Sequence, residues 1–506
     1  MQDNLIKILQ FSIDSRVRKF YKAVNNPIET QQQILRSLLD KANDTEIGKK
    51  KCFYEIKNYA EYSRRLEVCD YNNYQPIIER ITKGERDVLW PGKIDWFAKS
   101  SGTSESKSKY IPISTDALKD CHFKAGRDLL ALIYKNKHDI KIHKGYGVSL
   151  GGSLRNNPYR NDSFIGDLSA VMIRNFPFWV KFWQQPEQDI SLLEDWEIKI
   201  DKIAESTINK RITNITGVPT WTTVLIKRIL EITGKSNIKE VWPYLEVYIH
   251  GGVSFDPYRD LYTRMIQDTN FLYMENYNAS EGFFGIQDQF QQQDMMLLID
   301  HGIFYEFIPM CEFGKSEQRT IALEDIELNT NYAIVITTNT GLWRYIIGDT
   351  VKFTSKFPFR FRITGRTKSF INAFGEELIV DNVEKAIVEA CLHTNAQIND
   401  YTVAPVYFSD NSSGTHEWMI EFSKEPDDFE KFSIILDNSL KELNSDYEAK
   451  RHKDIALTFP IINNVKPGSF YDWMKQLGKL GGQNKVPRLY NSRKYVDDMK
   501  DFLGMK

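Results

Sequence analysis

At 506 residues the chain is too long for one ordinary domain, and 42% apolar content supplies enough material for large buried cores, which excludes a disordered chain. Lys and Arg number 66 against 68 Asp and Glu, so the formal charge is −2 and there is no global basic field for nucleic acid. The five cysteines lie far apart without paired spacing, which argues against structural zinc or a disulfide framework and for a reducing compartment.

Taken in chain order, Leu5, Leu9, Ile13, Val17 and Phe20 recur at helical spacing among charges. They predict an amphipathic helix rather than a secretory leader. No apolar run approaches the roughly 18 residues of a spanning helix, so a cytoplasmic protein without a membrane span is expected. Helical periodicity continues to about residue 90, punctuated by Pro27, the Thr45–Gly48 turn and "WPGK" at Trp90 to Lys93. A helix is predicted from Thr115 to Tyr134, a short strand ending in a glycine turn at Gly145 to Leu154, and helix again over 187–240. "YLEVYIHGG", Tyr244 to Gly252, reads as a strand running into a diglycine, and "FLYMENYNASEGFFG" as strand to turn. Tyr332 to Phe353 holds two strands around a turn. Strands alternating with helices, with glycine turns at strand ends, predict an α/β architecture whose ligands sit beyond those ends. From about Ile379 the pattern becomes helix, strand, strand, helix, a compact α+β unit, which sets domains of 1–367 and 368–506.

Four turns carry candidate chemistry. "KSSGTSESKSKYIP", Lys99 to Pro112, gathers hydroxyls, a glycine and lysines, which suit phosphate oxygens, although a solvated polar loop has the same composition. In "NYNASEGFFG", Glu281 follows an aromatic strand. A carboxylate there suits Mg²⁺ beside a triphosphate, or is a turn glutamate in solvent. "WRYIIGDTVKF" sets Arg344 and Asp349 about a glycine, where the aspartate either accepts from vicinal ribose hydroxyls or merely closes a hairpin. In "GGQNKVPRLY", Lys485 on a glycine-hinged loop can reach an anionic centre or remain a surface lysine. His143, His250 and His301 lie beside glycines or in aromatic strands and are assigned no catalytic role.

The order of these turns resembles adenylate-forming enzymes, and from "NPIETQQQILRSLLDKANDTEIG" (Asn26 to Gly48) through "GGQNKVPRL" the chain resembles the Gretchen Hagen three family of acyl acid–amido synthetases. The resemblance implies a large N-terminal domain that binds ATP and the acyl group, with a smaller mobile α+β C-terminal lid. It implies that Ser100, Ser101, Gly102, Thr103, Ser104 and Lys109 hold the β- and γ-phosphates. Glu281 then holds Mg²⁺, and Asp349 binds the ribose. Gly252 of the diglycine in "HGGVSFDPYR" lies beside adenine. Tyr277 and Ser280 belong to the second nucleotide motif, Arg344 to the third, and Arg366 to the hinge segment "TGRTKSFINAFGEEL", with Lys368 at the pivot. Lys485 approaches the α-phosphate on closure, and the acyl pocket is lined by 145–170 and 215–225. One departure stands out: Glu105 and Ser106 replace the family's usual diglycine after "SSGTS", placing a carboxylate near the triphosphate.

The implied reaction uses ATP and Mg²⁺ to adenylate a small carboxylic acid and passes the acyl group to an amino acid. The alternatives are an acyl-CoA ligase, for which no basic phosphoadenosine patch is visible, and a degenerate nucleotide-binding protein. Nucleic-acid binding is disfavoured by the neutral charge.

Overall fold

The computed structural model describes all residues except 1, 101–108, 179, 253–254, 256–257, 291, 316–317, 368–369, 372, 374–375, 377, 407–413, 445–446, 449–450, 452–456, 480–484, 491 and 506, and for 2–12, 100, 196, 220 and 370 it describes the backbone only. The chain divides into two compact units, residues 1–347 with 352–362, and 348–351 with 363–506. Strands Tyr345–Lys356 and Phe359–Arg366 contribute residues to both.

The first unit begins with helices Gln2–Val24, Pro27–Ala42, Glu46–Lys50, Tyr59–Arg65 and Tyr71–Thr82. Their starts are written locally: Pro27 opens the second, Thr45 accepts from the Gly48 N–H, and Asn58 accepts from the Glu61 N–H. The second helix buries Leu35, Leu38, Leu39 and Ala42, one face of a 3.6-residue repeat.

One half of the 12-stranded sheet is parallel, in the order Gln184–Gln185, Tyr146–Ser149, Ile212–Gly217, Val247–Gly251, Leu272–Ala279. Gly282–Ile286, Met295–Leu297 and Phe359–Arg366 follow antiparallel. Parallel neighbours need crossovers, and helices Pro219–Thr233 and Arg259–Ile266 supply two of them. Leu225, Ile226 and Ile229 pack there with Trp242, Tyr248 and Tyr262 in one buried cluster, each apolar side chain contributing about 1.5–3 kcal/mol by leaving water.

The strand Ile212–Gly217 corrects the prediction of helix throughout 187–240. "ITNITG" is short and β-branched, and periodicity alone cannot tell such a run from buried helix. The missed strand is the centre of the parallel half.

A separate four-stranded sheet pairs Trp96–Ser100 with Lys109–Ile113, and sets Arg160–Gly166 parallel to the former. In the second unit, helices Val380–Thr394 and Phe429–Leu443 share a core with strands Gln397–Val406 and Thr415–Lys424, where Trp418, Ile420, Phe432 and Leu436 are buried. This is the α+β arrangement read from the sequence. Among the described residues, no helix is long and apolar enough to cross a membrane.

Candidate active site

Because the strands run parallel, their carboxyl ends emerge side by side, at Ser149, Gly217, Gly251 and Ala279. This is the edge at which open α/β sheets bind ligands. Gly251 stands against Asn276 of the next strand so closely that a Cβ would collide with the Asn276 carbonyl. Gly252 follows in left-handed backbone at φ +85 and is exposed. Asn276 Nδ2 donates to the His250 carbonyl at 2.9 Å, tying the two strand ends together.

Ser280 and Glu281 form the tip of the hairpin between Leu272–Ala279 and Gly282–Ile286. A hairpin tip is ordinarily solvated, but here both residues are buried, with Glu281 only 8% exposed. That removes the reading of Glu281 as a turn residue in solvent. Burial pushes the neighbouring Tyr345 phenol well above its ordinary value, and the Glu281 carboxylate pushes the same way. Among the described residues, no three His, Cys, Asp or Glu side chains form a metal cage. One buried carboxylate fits an ion completed by phosphate oxygens and water, the usual arrangement of Mg²⁺, and does not fit a protein-caged metal.

Ser100 and Lys109 face one another as the last register pair of their hairpin, so both ends of the hydroxyl-rich loop are anchored in a sheet. The Lys109 ammonium lies 5.5 Å from the Tyr71 ring centroid. Ser101, Gly102, Thr103 and Ser104, with Glu105 and Ser106, lie outside the described residues, as does Lys368.

Two of the expected nucleotide-binding residues, Arg344 and Tyr277, are built into the core. Arg344 is 5% exposed and its donors are spent internally. Nε and Nη2 donate to Glu306 at 3.0 and 2.8 Å, Nη1 donates to the Ser63 and Leu66 carbonyls, and Nη2 also reaches Thr320. Glu306 is fully buried, so this arginine neutralises a core carboxylate and has no donor left for a nucleotide. The ring of Tyr277 is buried against Phe284 and Phe361 at centroid distances of 4.8 and 6.1 Å.

In the second unit, Arg366 Nε donates to Asp349 Oδ1 at 2.8 Å. The sequence reading sets Asp349 at a glycine turn, but Gly348 and Asp349 lie within the strand Tyr345–Lys356, where Gly348 is at φ +94 and its carbonyl accepts from the Thr367 N–H at 2.7 Å. Lys485 is exposed, and its charged neighbours in this unit are Arg366, Arg488, Asp349 and Glu384.

The three histidines are structural. His143 Nδ1 pairs with the Tyr134 hydroxyl at 3.0 Å, and His301 Nε2 with Asp128 at 2.9 Å. His250 stacks on Phe255 at 4.1 Å, and burial pushes its imidazole down to about 3.

Lys199 escaped the sequence reading. It is fully buried, and its Nζ donates to the Gly151 and Gly152 carbonyls at 2.9 Å each, at the turn after Tyr146–Ser149. Burial pushes it down to about 8, against the opposing pull of Asp167. Asp167 Oδ2 accepts from the Ser153 N–H at 2.7 Å, and a Cβ at Gly152 would collide with that carboxylate. A lysine inside a helix that reads "WEIKIDKIAEST" carries no local sign of such burial.

The GH3 family N-terminal domain matches residues 16–271, the GH3 central domain 296–366 and the GH3 C-terminal domain 381–494. Two Arabidopsis thaliana proteins are similar along nearly the whole chain. Indole-3-acetic acid-amido synthetase GH3.3 is 21% identical over 94% of this chain and 91% of its own length. The 4-substituted benzoates-glutamate ligase GH3.12 is 20% identical, covering 96% of each chain. Among solved structures, the GH3.15 acyl acid amido synthetase superposes with a TM-score of 0.79 at 17% identity, over 96% of this chain and 95% of that one. A 2-hydroxyisobutyryl-CoA ligase in a postadenylation state reaches 0.54 at 10% identity, over 98% and 92%. With the three domains matched in order along the described strand ends and turns, the chain belongs to the GH3 family.

Proposed function

We propose that the chain is an ATP-dependent acyl acid–amido synthetase, an adenylate-forming ligase that joins a small carboxylic acid to an amino acid. The observation that carries this reading is the buried Ser280–Glu281 tip at the carboxyl ends of parallel strands, next to the Gly251–Gly252 turn, in a GH3 chain.

In the first step a carboxylate oxygen of the acid attacks the α-phosphorus of ATP, and pyrophosphate leaves with the electrons of the broken P–O bond. In the second, the amine nitrogen attacks the acyl carbon, AMP leaves, and the amine proton passes to solvent. Ser100 to Ser104 and Lys109 hold the β- and γ-phosphates. Glu281 holds Mg²⁺, which when bound neutralises charge on the phosphate oxygens. Gly251 and Gly252 let the adenine approach the backbone. Asp349 accepts from the ribose hydroxyls while Arg366 orients it, and Lys485 approaches the α-phosphate during adenylation. All five cysteines are free, which suits a reducing cytoplasm. The likeness to a CoA ligase is one of fold, whereas the GH3 relatives are named for amide formation, which favours an amine over a thiol as acceptor.

The test is acid-dependent exchange of labelled pyrophosphate into ATP across aryl, indolyl and aliphatic acids, with amino acids then added. Exchange with one acid class, followed by an amide product, supports the reading. ATP binding without exchange for any acid overturns it in favour of a degenerate nucleotide-binding protein.

A further inference from the structure

Tyr345 opens the strand Tyr345–Lys356 and belongs to the large unit, one residue after Arg344. Its backbone and its ring are both fixed. The Cys69 N–H donates to the Arg344 carbonyl and the Ile346 N–H to the Cys69 carbonyl, each at 2.9 Å, and the ring meets that of Tyr74 edge-on at 5.8 Å. The side chain is fully buried. A phenylalanine would fill the same space, yet here a hydroxyl is carried into a place shut away from water, which is costly unless the group has a purpose there. Among the described residues that hydroxyl completes no well-formed hydrogen bond. The Glu281 carboxylate lies within its reach and is the charged group that acts on it most. Hydrogen bonds in a ligand site are often long or poorly aligned before the ligand binds, and tighten with it. Tyr71 also stands close to Tyr345. The Tyr71 hydroxyl accepts from the Tyr110 N–H at 2.9 Å, and Lys109 lies over the Tyr71 ring. The tip carboxylate and the base of the hydroxyl-rich loop therefore share one corner of the large unit.

We propose that Tyr345 is a positioning residue for the metal: its O–H donates to Glu281 and holds that carboxylate in one orientation for the Mg²⁺ that accompanies the nucleotide. The inference rests on the reading of Glu281 as the metal ligand. A phenol keeps its proton at neutral pH, so it can only donate to a carboxylate. A carboxylate has about four acceptor sites, and accepting one O–H leaves capacity for a cation. Carboxylates that bind metal ions are ordinarily held by such a neighbouring donor, which fixes how they face the ion. Glu281 sits at a hairpin tip, where the backbone alone orients a long side chain poorly. Tyr345 is anchored on a different strand and supplies that orientation from outside the hairpin.

The experiment measures binding of a fluorescent, non-hydrolysable ATP analogue with and without Mg²⁺ in the wild type, Tyr345→Phe, Glu281→Gln and the double variant. Thermal unfolding of each protein accompanies it. In the wild type Mg²⁺ is expected to tighten binding. Tyr345→Phe removes a single oxygen atom and should reduce that gain by about tenfold or more, while binding without metal and the unfolding temperature stay near wild type. In the double variant the loss should equal that of Glu281→Gln alone, because the phenol acts only through the carboxylate. An unchanged gain in Tyr345→Phe, or additive losses in the double variant, overturns the inference and leaves the adenylation reading intact. So does an equal loss with and without Mg²⁺ at a lowered unfolding temperature, which makes the phenol a core residue. If Mg²⁺ helps the wild type no more than it helps Glu281→Gln, the reading of Glu281 as a metal ligand fails, and the inference fails with it.

Discussion

Arg344 and Asp349 lie within one short stretch, "RYIIGD", and are used in opposite ways. Arg344 sits at φ +48 with its guanidinium enclosed by Glu306, Thr320 and the carbonyls of Ser63 and Leu66. Asp349 belongs to the other compact unit, follows a glycine in left-handed backbone, and accepts from Arg366 at 2.8 Å. A motif that reads as one functional block is thus split. Its first residue is tied into the core of the large unit, and its last pairs with Arg366 in the other unit. The comparison teaches that a charged residue whose donors are all spent in the core, as those of Arg344 are, has none to offer a ligand.

The largest effect should come from breaking the structural member. Arg344→Met leaves Glu306 buried without its counterion and is expected to cost about 3–5 kcal/mol, read as a lower denaturation midpoint. Adding Glu306→Leu should restore most of that loss. If Arg344→Met instead left stability intact and abolished ATP binding, the assignment would reverse. Next in size, Glu281→Gln should slow pyrophosphate exchange about 10²–10³-fold, with little change in unfolding. A loss of stability without a rate effect would make Glu281 a core residue after all.

The contrast sharpens further with Asp349→Ala, which should raise the KM for ATP about 10- to 100-fold, the worth of hydrogen bonds to a charged group, while leaving the unfolding temperature close to wild type. The last effect is a pH slope at Lys199. Its folded value of about 8 lies below the ordinary 10.5 because burial disfavours the ammonium. Between those values the unfolded chain binds more protons than the folded one, so Lys199 makes stability rise with pH from about 8 to 10.5. Lys199→Met should flatten that rise in urea titrations run across the window, and an unchanged slope would assign it to other groups.

What could be read from sequence was local. The flanks of the hydroxyl-rich loop and the Ser-Glu tip are each a few contiguous residues, and strand-to-turn patterning places them, whereas the expected Gly-Asp turn lies inside the strand Tyr345–Lys356. What could not be read depends on partners far along the chain. Glu306 meets Arg344 across 38 residues, Gly151 meets Lys199 across 48, and the Phe283 N–H meets Cys121 across 162. Nothing in "WRYIIGD" says that its arginine is already committed. Ile212–Gly217 was missed for a different reason, since a short β-branched run beside a helix carries too few residues to show its period.

The central claim is that the carboxylate itself is adenylated, and it can be tested by the fate of an oxygen atom. With acid labelled at both carboxyl oxygens with oxygen-18, turnover in the presence of ATP and an amino acid should leave one labelled oxygen in AMP and the other in the amide carbonyl. AMP without label, or label appearing in inorganic phosphate alongside ADP, would mean that the acid is activated by another route and would contradict the account.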